Sequence, residues 1–455
     1  MRNIVLAFWG LVLVLSVLWL IAEPTALLST DVMGLRSGFI QYTGVIGIGA
    51  MSAAMVLATR PRWLEPHVNG LDKMYRLHKW LGITGLVFSV AHWMWTQAPQ
   101  WLTGLGLLSM PAGRGPPSTE AAATENTAAA TTNSLEQLFS GLRRPAESIG
   151  EWAFYVSVIL IALALIKWFP YHLFVKTHKF TAVAYLLLAF HTMVLLNTGD
   201  WLTPLGLVMA LLLASGTVSA ALTLSGRVGI GSRVQGTVSS LFYAPALRVL
   251  ETKVHLDQGW SGHDTGQFAF VTSSRNEGAH PYTIASSWKN DGEITFVTKA
   301  LGDYTSKMHA QLKVGDPVKV EGPYGSFTFR DDKPRQIWVG GGIGITPFIA
   351  RMQHLAAEPN PEQQVDFFHT TLDFDEEAIR RLTEDARTAN ISLHVTVDDR
   401  DGRLTADKIR ELVPEWRSAS IWFCGPPGFA DALRRNFASH GFSRTLFHQE
   451  LFSMR

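Results

Sequence analysis

Four histidines, His78, His92, His178 and His191, stand inside apolar stretches, where an ionisable ring is unfavourable unless it is paired or bound to a metal. His78 and His92 are fourteen residues apart, which places both on nearly the same face of an ideal helix, about 21 Å apart along its axis. That rise puts one ring near each side of a bilayer. If the two histidine-bearing segments run in the same direction, His78 meets His178 at the cytoplasmic depth and His92 meets His191 at the outer depth. Each pair of neutral imidazoles can then hold one iron from both axial directions. The chemistry implied is one-electron transfer through two stacked haems. Hydrogen-bonded interhelical histidines are the alternative, which suits an isolated histidine better than two pairs at matching depths. The thirteen-residue spacing in the second segment resists the haem reading, because an ideal helix turns His191 about 140° away from His178. An irregular first turn after Pro170, or an overwound or bulged helix, is required, and His172 replaces His178 as ligand if the register differs.

The elements that must carry these rings are apolar runs long enough to cross a hydrocarbon core of about 30 Å. Six are found, at residues 4–22, 37–58, 78–97, 152–168, 180–196 and 202–224. The first has a cleaved signal peptide as its alternative, but its apolar core exceeds the usual length of one. Arg60, Arg62, Lys73, Arg76 and Lys79 lie between runs two and three, and Lys167, Lys176 and Lys179 between runs four and five, so these loops are expected on the cytoplasmic side. An even number of spans then puts both termini in the cytoplasm. The connection over residues 99–150 falls outside, and its Ala/Thr-rich part, 118–134, has too few large apolar residues to form a packed module. A net charge of +1 argues against general attraction to nucleic acid, and the single cysteine, Cys424, excludes a disulfide framework or a four-thiolate cluster.

From about Arg227 the text changes to short alternating segments and then to strand and helix alternation, the pattern of a small β-barrel followed by a doubly wound α/β domain. In the barrel part, His280-Pro281-Tyr282-Thr283 sets an aromatic ring between polar groups on a strand. There Tyr282 can stack on an isoalloxazine and Thr283 can bond its polar edge, an ordinary edge strand being the alternative. Lys299, Gly302 and Thr305 supply a cation, a glycine and a hydroxyl as a cradle for the flavin pyrophosphate. The segment 321–325 reads as a structural turn. In the α/β part, a strand at 336–339 runs into Gly340-Gly341-Gly342-Ile343-Gly344-Ile345-Thr346-Pro347 and a helix. Such glycines let the backbone approach a pyrophosphate at a helix N-terminus, and proline suits the first helical turn. Cys424-Gly425-Pro426, after a strand at 421–423, strengthens that assignment.

These residues resemble the bacterial ferric reductase and NADPH oxidase superfamily over nearly the whole chain. The resemblance implies a six-helix transmembrane bundle at 1–226 whose four histidines, at fourteen and thirteen spacings, bind two b-type haems. It further implies an antiparallel β-barrel FAD domain at 227–331 and an NAD(P)H-binding α/β domain at 332–455. The His280-Pro281-Tyr282-Thr283 stretch is similar to the His-Pro-Phe-Thr of the oxidase branch. Gly342, Gly344 and Pro347 match the nucleotide loop, and Cys424-Gly425-Pro426 the element near the transferred hydride. By the same resemblance Phe452, close to the C-terminus, is the aromatic that shields the flavin. Thr370 and Thr371 stand where NADPH-preferring relatives often have an arginine, which leaves NADH open.

The expected function is a bacterial inner-membrane oxidoreductase passing electrons from cytosolic NAD(P)H through FAD and two haems to an outer acceptor. Ferric iron chelates, oxygen, a quinone and a partner protein all stay open as acceptors. An electron-relay subunit for a periplasmic partner and a transporter with a regulatory nucleotide domain are the other readings.

Overall fold

A computed structural model describes residues 1–26, 32–106, 134–166, 168–274 and 277–450, so Phe452 and most of the Ala/Thr-rich segment 118–134 lie outside the described residues. The chain divides into two units. One comprises Met1–Pro61 and Met74–Val228, and the other Arg62–Lys73 together with the residues from Gly229 on.

The first unit is helical: α1 (Arg2–Ala22), α2 (Val32–Ala58), α4 (Leu71–Gly104, apart from its first turn), α5 (Ser134–Leu165), α6 (Tyr171–Lys179), α7 (Thr181–Leu195) and α8 (Pro204–Leu224). Large apolar side chains face outward along these helices, with Leu6, Trp9, Leu13, Ile159, Leu207 and Leu211 all about 60 % exposed or more. An outward apolar surface of this extent suits lipid rather than water. Among the described residues five helical segments are long and apolar enough to cross a membrane, not the six expected. The third expected run is a helix, α4, but His78, Lys79, Ser89, His92 and Thr96 dilute its apolar character. Helix α8 starts cleanly because the Thr203 hydroxyl accepts from the Gly206 amide and Pro204 occupies the first turn. Inside the bundle the fully buried Tyr185 of α7 shares a hydrogen bond of 2.9 Å with Ser52 of α2. Gly216 of α8 leaves room for that phenol, since a Cβ there would overlap it.

In the second unit a short helix, α3 (Glu65–Val68), lies in the segment read from sequence as a cytoplasmic loop. Glu65 Oε1 accepts from the amide of Gly325 at 2.6 Å and from that of Leu71 at 3.2 Å, so this segment is tied to the strand that precedes Gly325. That strand belongs to a six-stranded antiparallel sheet of β1 (Arg233–Ala244), β2 (Val249–Leu256), β3 (Phe268–Thr272), β4 (His280–Thr283), β5 (Glu293–Lys299) and β6 (Pro317–Tyr324), in the order β4-β3-β6-β1-β2-β5. The period-two pattern explains it: β2 buries Leu250, Thr252, Val254 and Leu256 and exposes the residues between. Ile284, just past β4, bridges Phe296 of β5, so the two edges of the sheet meet. Residues 321–324, expected as a turn, continue β6, because Glu321 pairs across the ladder with Arg233 and Phe270. Helix α9 (Asp303–Gln311) closes the sheet core with Met308.

A second, five-stranded sheet is parallel throughout: β7 (Arg335–Gly341), β8 (Gln364–Thr371), β9 (Ser392–Val397), β10 (Ser420–Cys424) and β11 (Phe447–Gln449), ordered β11-β10-β7-β8-β9. Alternate residues serve opposite faces. Ile337, Val339 and Phe423 pack with α12 (Ala406–Leu412) and α13 (Pro427–Ser439), while Trp338, Phe367 and Trp422 pack with α10 (Thr346–Ala357) and α11 (Glu376–Thr388). Helices on both faces of a parallel sheet make a doubly wound layer, whose strand order reverses between β7 and β10.

Replacing Tyr185 with Phe keeps the ring but leaves the buried Ser52 hydroxyl without this partner, and is expected to cost about 1 kcal/mol. Thermal unfolding of the purified protein in detergent checks this. An unchanged midpoint shows that the bond contributes nothing.

Candidate functional site

Helix α4 carries His78 and His92, α6 carries His178 and α7 carries His191. The structure brings them together in the expected pairs, with ring centres of His78 and His178 5.9 Å apart and those of His92 and His191 6.2 Å apart, nearly perpendicular in both cases. With metal–nitrogen bonds of about 2 Å on each side, two axial imidazoles have ring centres about 6 Å apart. Three of the rings are oriented by backbone carbonyls: the Nδ1 atoms of His78, His92 and His191 lie 2.9, 2.9 and 2.8 Å from the oxygens of Ala54, Ile40 and Ala146. An Nδ1–H that donates to a carbonyl leaves Nε2 as the ligand atom. His178 lacks such a bond and instead stacks on Phe174, with ring centres 5.1 Å apart.

The thirteen-residue spacing is accommodated by an interruption. Helix α6 stops at Lys179 and α7 begins at Thr181, and the amide of Phe180 bonds to the carbonyl of Thr177, three residues back. A turn of this kind advances about 120° per residue instead of 100°. It therefore rotates His178 toward the face of His191. Around the His92–His191 pair lies a cavity of about 520 Å³, within the range of about 300–1,000 Å³ typical of cofactor sites. Small residues make the space: a Cβ on Gly150 would overlap the His191 ring, and one on Gly44 would press on His92 at 3.4 Å. Arg36, on the cavity wall, donates to the carbonyls of Trp95 and Thr96. The residues present fit two bis-histidine haems.

On the antiparallel sheet, His280, Pro281 and Tyr282 are half-buried and Thr283 is buried. Their strand β4 is an edge of the sheet, and the His280 ring stacks on Tyr304 of α9 at 4.9 Å. The expected pyrophosphate cradle is partly engaged within the chain. Thr305 Oγ1 accepts from the amides of Leu301 and Gly302, capping α9, and Lys299 Nζ is 2.5 Å from Asp373 Oδ2. The α9 N-terminus stays where an anion is favoured.

The glycine loop sits at the strand-order reversal. A Cβ on Gly344 would overlap the carbonyl of Cys424, one on Gly341 would press on Pro426 at 2.9 Å, and one on Gly425 would meet Gly341 at 3.1 Å. Gly341, Gly344, Gly425 and Pro426 thus pack backbone against backbone at the carboxyl ends of β7 and β10. Gly342 adopts φ +57, where a side chain is strained. Thr346 donates to the Ile343 carbonyl and Pro347 fills the first turn of α10. Beside the loop, His369 of β8 meets the Gly340 carbonyl, and burial lowers its pKa to about 4, so the ring stays neutral.

Cys424 is fully buried, and burial, with the Glu450 carboxylate nearby, raises its thiol pKa well above the usual value, which excludes a thiolate nucleophile. Glu450 was missed in the sequence reading. Both of its carboxylate oxygens are buried without a hydrogen-bond partner among the described residues, and burial, then the charges of Asp72 and Glu65, raise its pKa well above 4.5 while Lys73 opposes them. A lone glutamate near a chain end reads as solvated, so no signal in the sequence singled it out.

Three known families match successive parts of the chain. Residues 43–189 match the ferric reductase like transmembrane component, 246–329 the oxidoreductase FAD-binding domain and 338–435 the oxidoreductase NAD-binding domain. A flavohemoprotein of Oceanobacillus iheyensis is 26 % identical over 33 % of this chain and 40 % of its own length. The reductase component of the propane 2-monooxygenase of Rhodococcus jostii is 26 % identical over 39 % of this chain and 52 % of its own. The chain thus spans about half the length of the curated relatives it matches. Among solved structures, the flavohemoglobin of Malassezia yamatoensis aligns with a TM-score of 0.47 and 17 % identity, over 92 % of this chain and 98 % of that one.

Glu450 gives a pH test. Its folded pKa lies above the unfolded one, so its stabilising protonation is complete below the ordinary carboxylate range and is lost as pH rises through the folded value. The unfolding midpoint is expected to fall as pH rises above the ordinary carboxylate range, and Glu450→Gln to flatten that slope. An equal slope in the variant contradicts the buried, protonated carboxyl.

Proposed function

We propose that this chain, a ferric reductase like transmembrane component fused to oxidoreductase FAD-binding and NAD-binding domains, carries electrons from cytosolic NAD(P)H across a bacterial inner membrane to an outer acceptor. The observation that carries the proposal is the pair of histidine couples, 5.9 and 6.2 Å between ring centres, three of whose four members, His78, His92 and His178, lie within the match to the transmembrane component, with His191 two residues past its end. In this reading α4 is a sixth span, both termini are cytoplasmic, and His78 with His178 forms the cytoplasmic site while His92 with His191 forms the outer one.

When bound, the flavin supplies the change from paired to single electrons and the haems supply one-electron carriers inside the membrane. The chain supplies position and electrostatics. Backbone carbonyls of α2 and α5 fix the ring planes of His78, His92 and His191, and the glycines of α2 and α5 keep the outer cavity open. His78 with His178 and His92 with His191 would hold the haems, which would supply single-electron carriers on the way to the acceptor. Ferric chelates and oxygen are the first acceptors to test. Tyr282 and Thr283 offer a ring and a hydroxyl to the isoalloxazine. Gly302 and Thr305 flank the flavin pyrophosphate, Lys299 being held by Asp373, and the stacked glycine loops with Thr346 and Pro347 receive that of the nicotinamide nucleotide. His280, Pro281, Gly425 and Pro426 shape those two sites.

Right-side-out proteoliposomes loaded with NADH and given an impermeant acceptor outside test the direction. The native protein is expected to reduce that acceptor. His92→Ala is expected to lose the outer haem from the spectrum, to lower outside reduction at least about tenfold, and to leave the remaining haem reducible by NADH. Undiminished outside reduction in that variant overturns the order of the two sites.

A further inference from the structure

We infer that the nucleotide site selects NADH over NADPH and that Asp373 sets this choice by holding Lys299 out of reach of a 2′-phosphate. The inference rests on the NAD(P)H reading above and names which of the two donors it takes. In a doubly wound sheet the pyrophosphate lies on the glycine loop at the strand-order reversal. The adenosine half then extends over the neighbouring strand ends, where a carboxylate reads a ribose hydroxyl or a cation reads a phosphate. Here those ends belong to β8 and β9, joined in register down to Thr371 and Val397.

The groups found there are acidic or already paired. Thr370 Oγ1 donates to Asp398 Oδ1 at 2.5 Å, just past β9, and Thr371 Oγ1 donates to the backbone carbonyl of Asp373 at 2.9 Å. The side chain of Asp373 takes Lys299 Nζ at 2.5 Å, with both groups less than one-third exposed. Arg400, which lies over the ring of Phe374 at 5.4 Å, is held by both oxygens of Asp401 at 2.9 and 3.0 Å. Lys299 and Arg400, the two cations that these contacts place beside the end of β8, therefore each face a carboxylate, while Arg403, exposed and three residues past Arg400, is too far along the chain to be fixed by them.

A ribose hydroxyl can donate to the remaining carboxylate lone pairs. A 2′-phosphate, with a charge of about −1.5 to −2, meets Asp373 and Asp398 as like charges and gains a cation only by separating Lys299 from Asp373. Like-charge juxtaposition of this kind discriminates by exclusion rather than by added contacts to the preferred ligand. The Lys299–Asp373 pair also explains why the sequence pattern alone was ambiguous. Lys299 lies 74 residues before its partner on another sheet, and by itself it reads as a phosphate ligand.

The test uses the full-length, FAD-loaded protein. Anaerobic stopped-flow bleaching of the flavin gives kcat/KM for NADH and for NADPH, and calorimetric titration with NAD⁺ and NADP⁺ gives binding without turnover. The wild type is expected to favour NADH at least about tenfold in both readouts. Asp373→Asn is expected to lower that ratio at least about fivefold through a gain in NADPH, and adding Lys299→Ala to remove the gain. If Asp373→Asn fails to load FAD, Asp398→Asn is read instead, with the same lowering of the ratio expected. Equal use of the two nucleotides by the wild type, a preference for NADPH, or an unchanged ratio in the variant that folds overturns the selectivity alone. Bleaching by neither nucleotide overturns the donor reading together with it.

Discussion

Four imidazoles inside an apolar bundle must each be neutral, oriented and partnered, and most of the architecture follows from meeting that requirement. Burying a polar ring without a partner is unfavourable by a few kcal/mol, so the carbonyls of Ala54, Ile40 and Ala146 each take one ring nitrogen. The same bond that satisfies the ring also selects which nitrogen faces its counterpart. A helix carbonyl is normally committed to the amide four residues on, and its second lone pair is what an imidazole N–H can use. Close packing of α2 and α5 against the histidine-bearing helices, permitted by glycines, is therefore part of the site.

The two units meet their polar requirements by different means. In the bundle, where no water competes, side chains return to backbone carbonyls and to one another, as Tyr185 and Ser52 do. In the second unit the parallel sheet satisfies its own backbone, and the free amides gather where β7 and β10 end. Gly341, Gly344 and Gly425 let those two turns pack so closely that no side chain fits between them. The Arg62–Lys73 segment follows the second unit in its contacts, and Glu65 anchors it there through the Gly325 amide.

Much of this was legible in the residues. The four histidines announced themselves because charge-capable rings are rare in apolar runs, and the glycine loop because strand, glycines and proline came in one order. The strand and helix alternation of residues 335–439 followed from periodicity. Other features were hidden for physical reasons. The break at Phe180 is a single tightened turn with no glycine or proline to mark it. Glu321 and Tyr324 extend a strand where a Gly-Pro pair suggested a turn. Glu450 and Asp373 owe their character to burial and to a distant lysine, and a linear text records neither.

Everything depends on both histidine couples sharing a metal. Low-temperature electron paramagnetic resonance of the oxidised, purified protein, with haem counted against flavin, addresses this directly. The account predicts two low-spin ferric haems per chain, each with the signature of two axial imidazoles. A single haem, a high-spin ferric signal in the native protein, or no haem at all contradicts it.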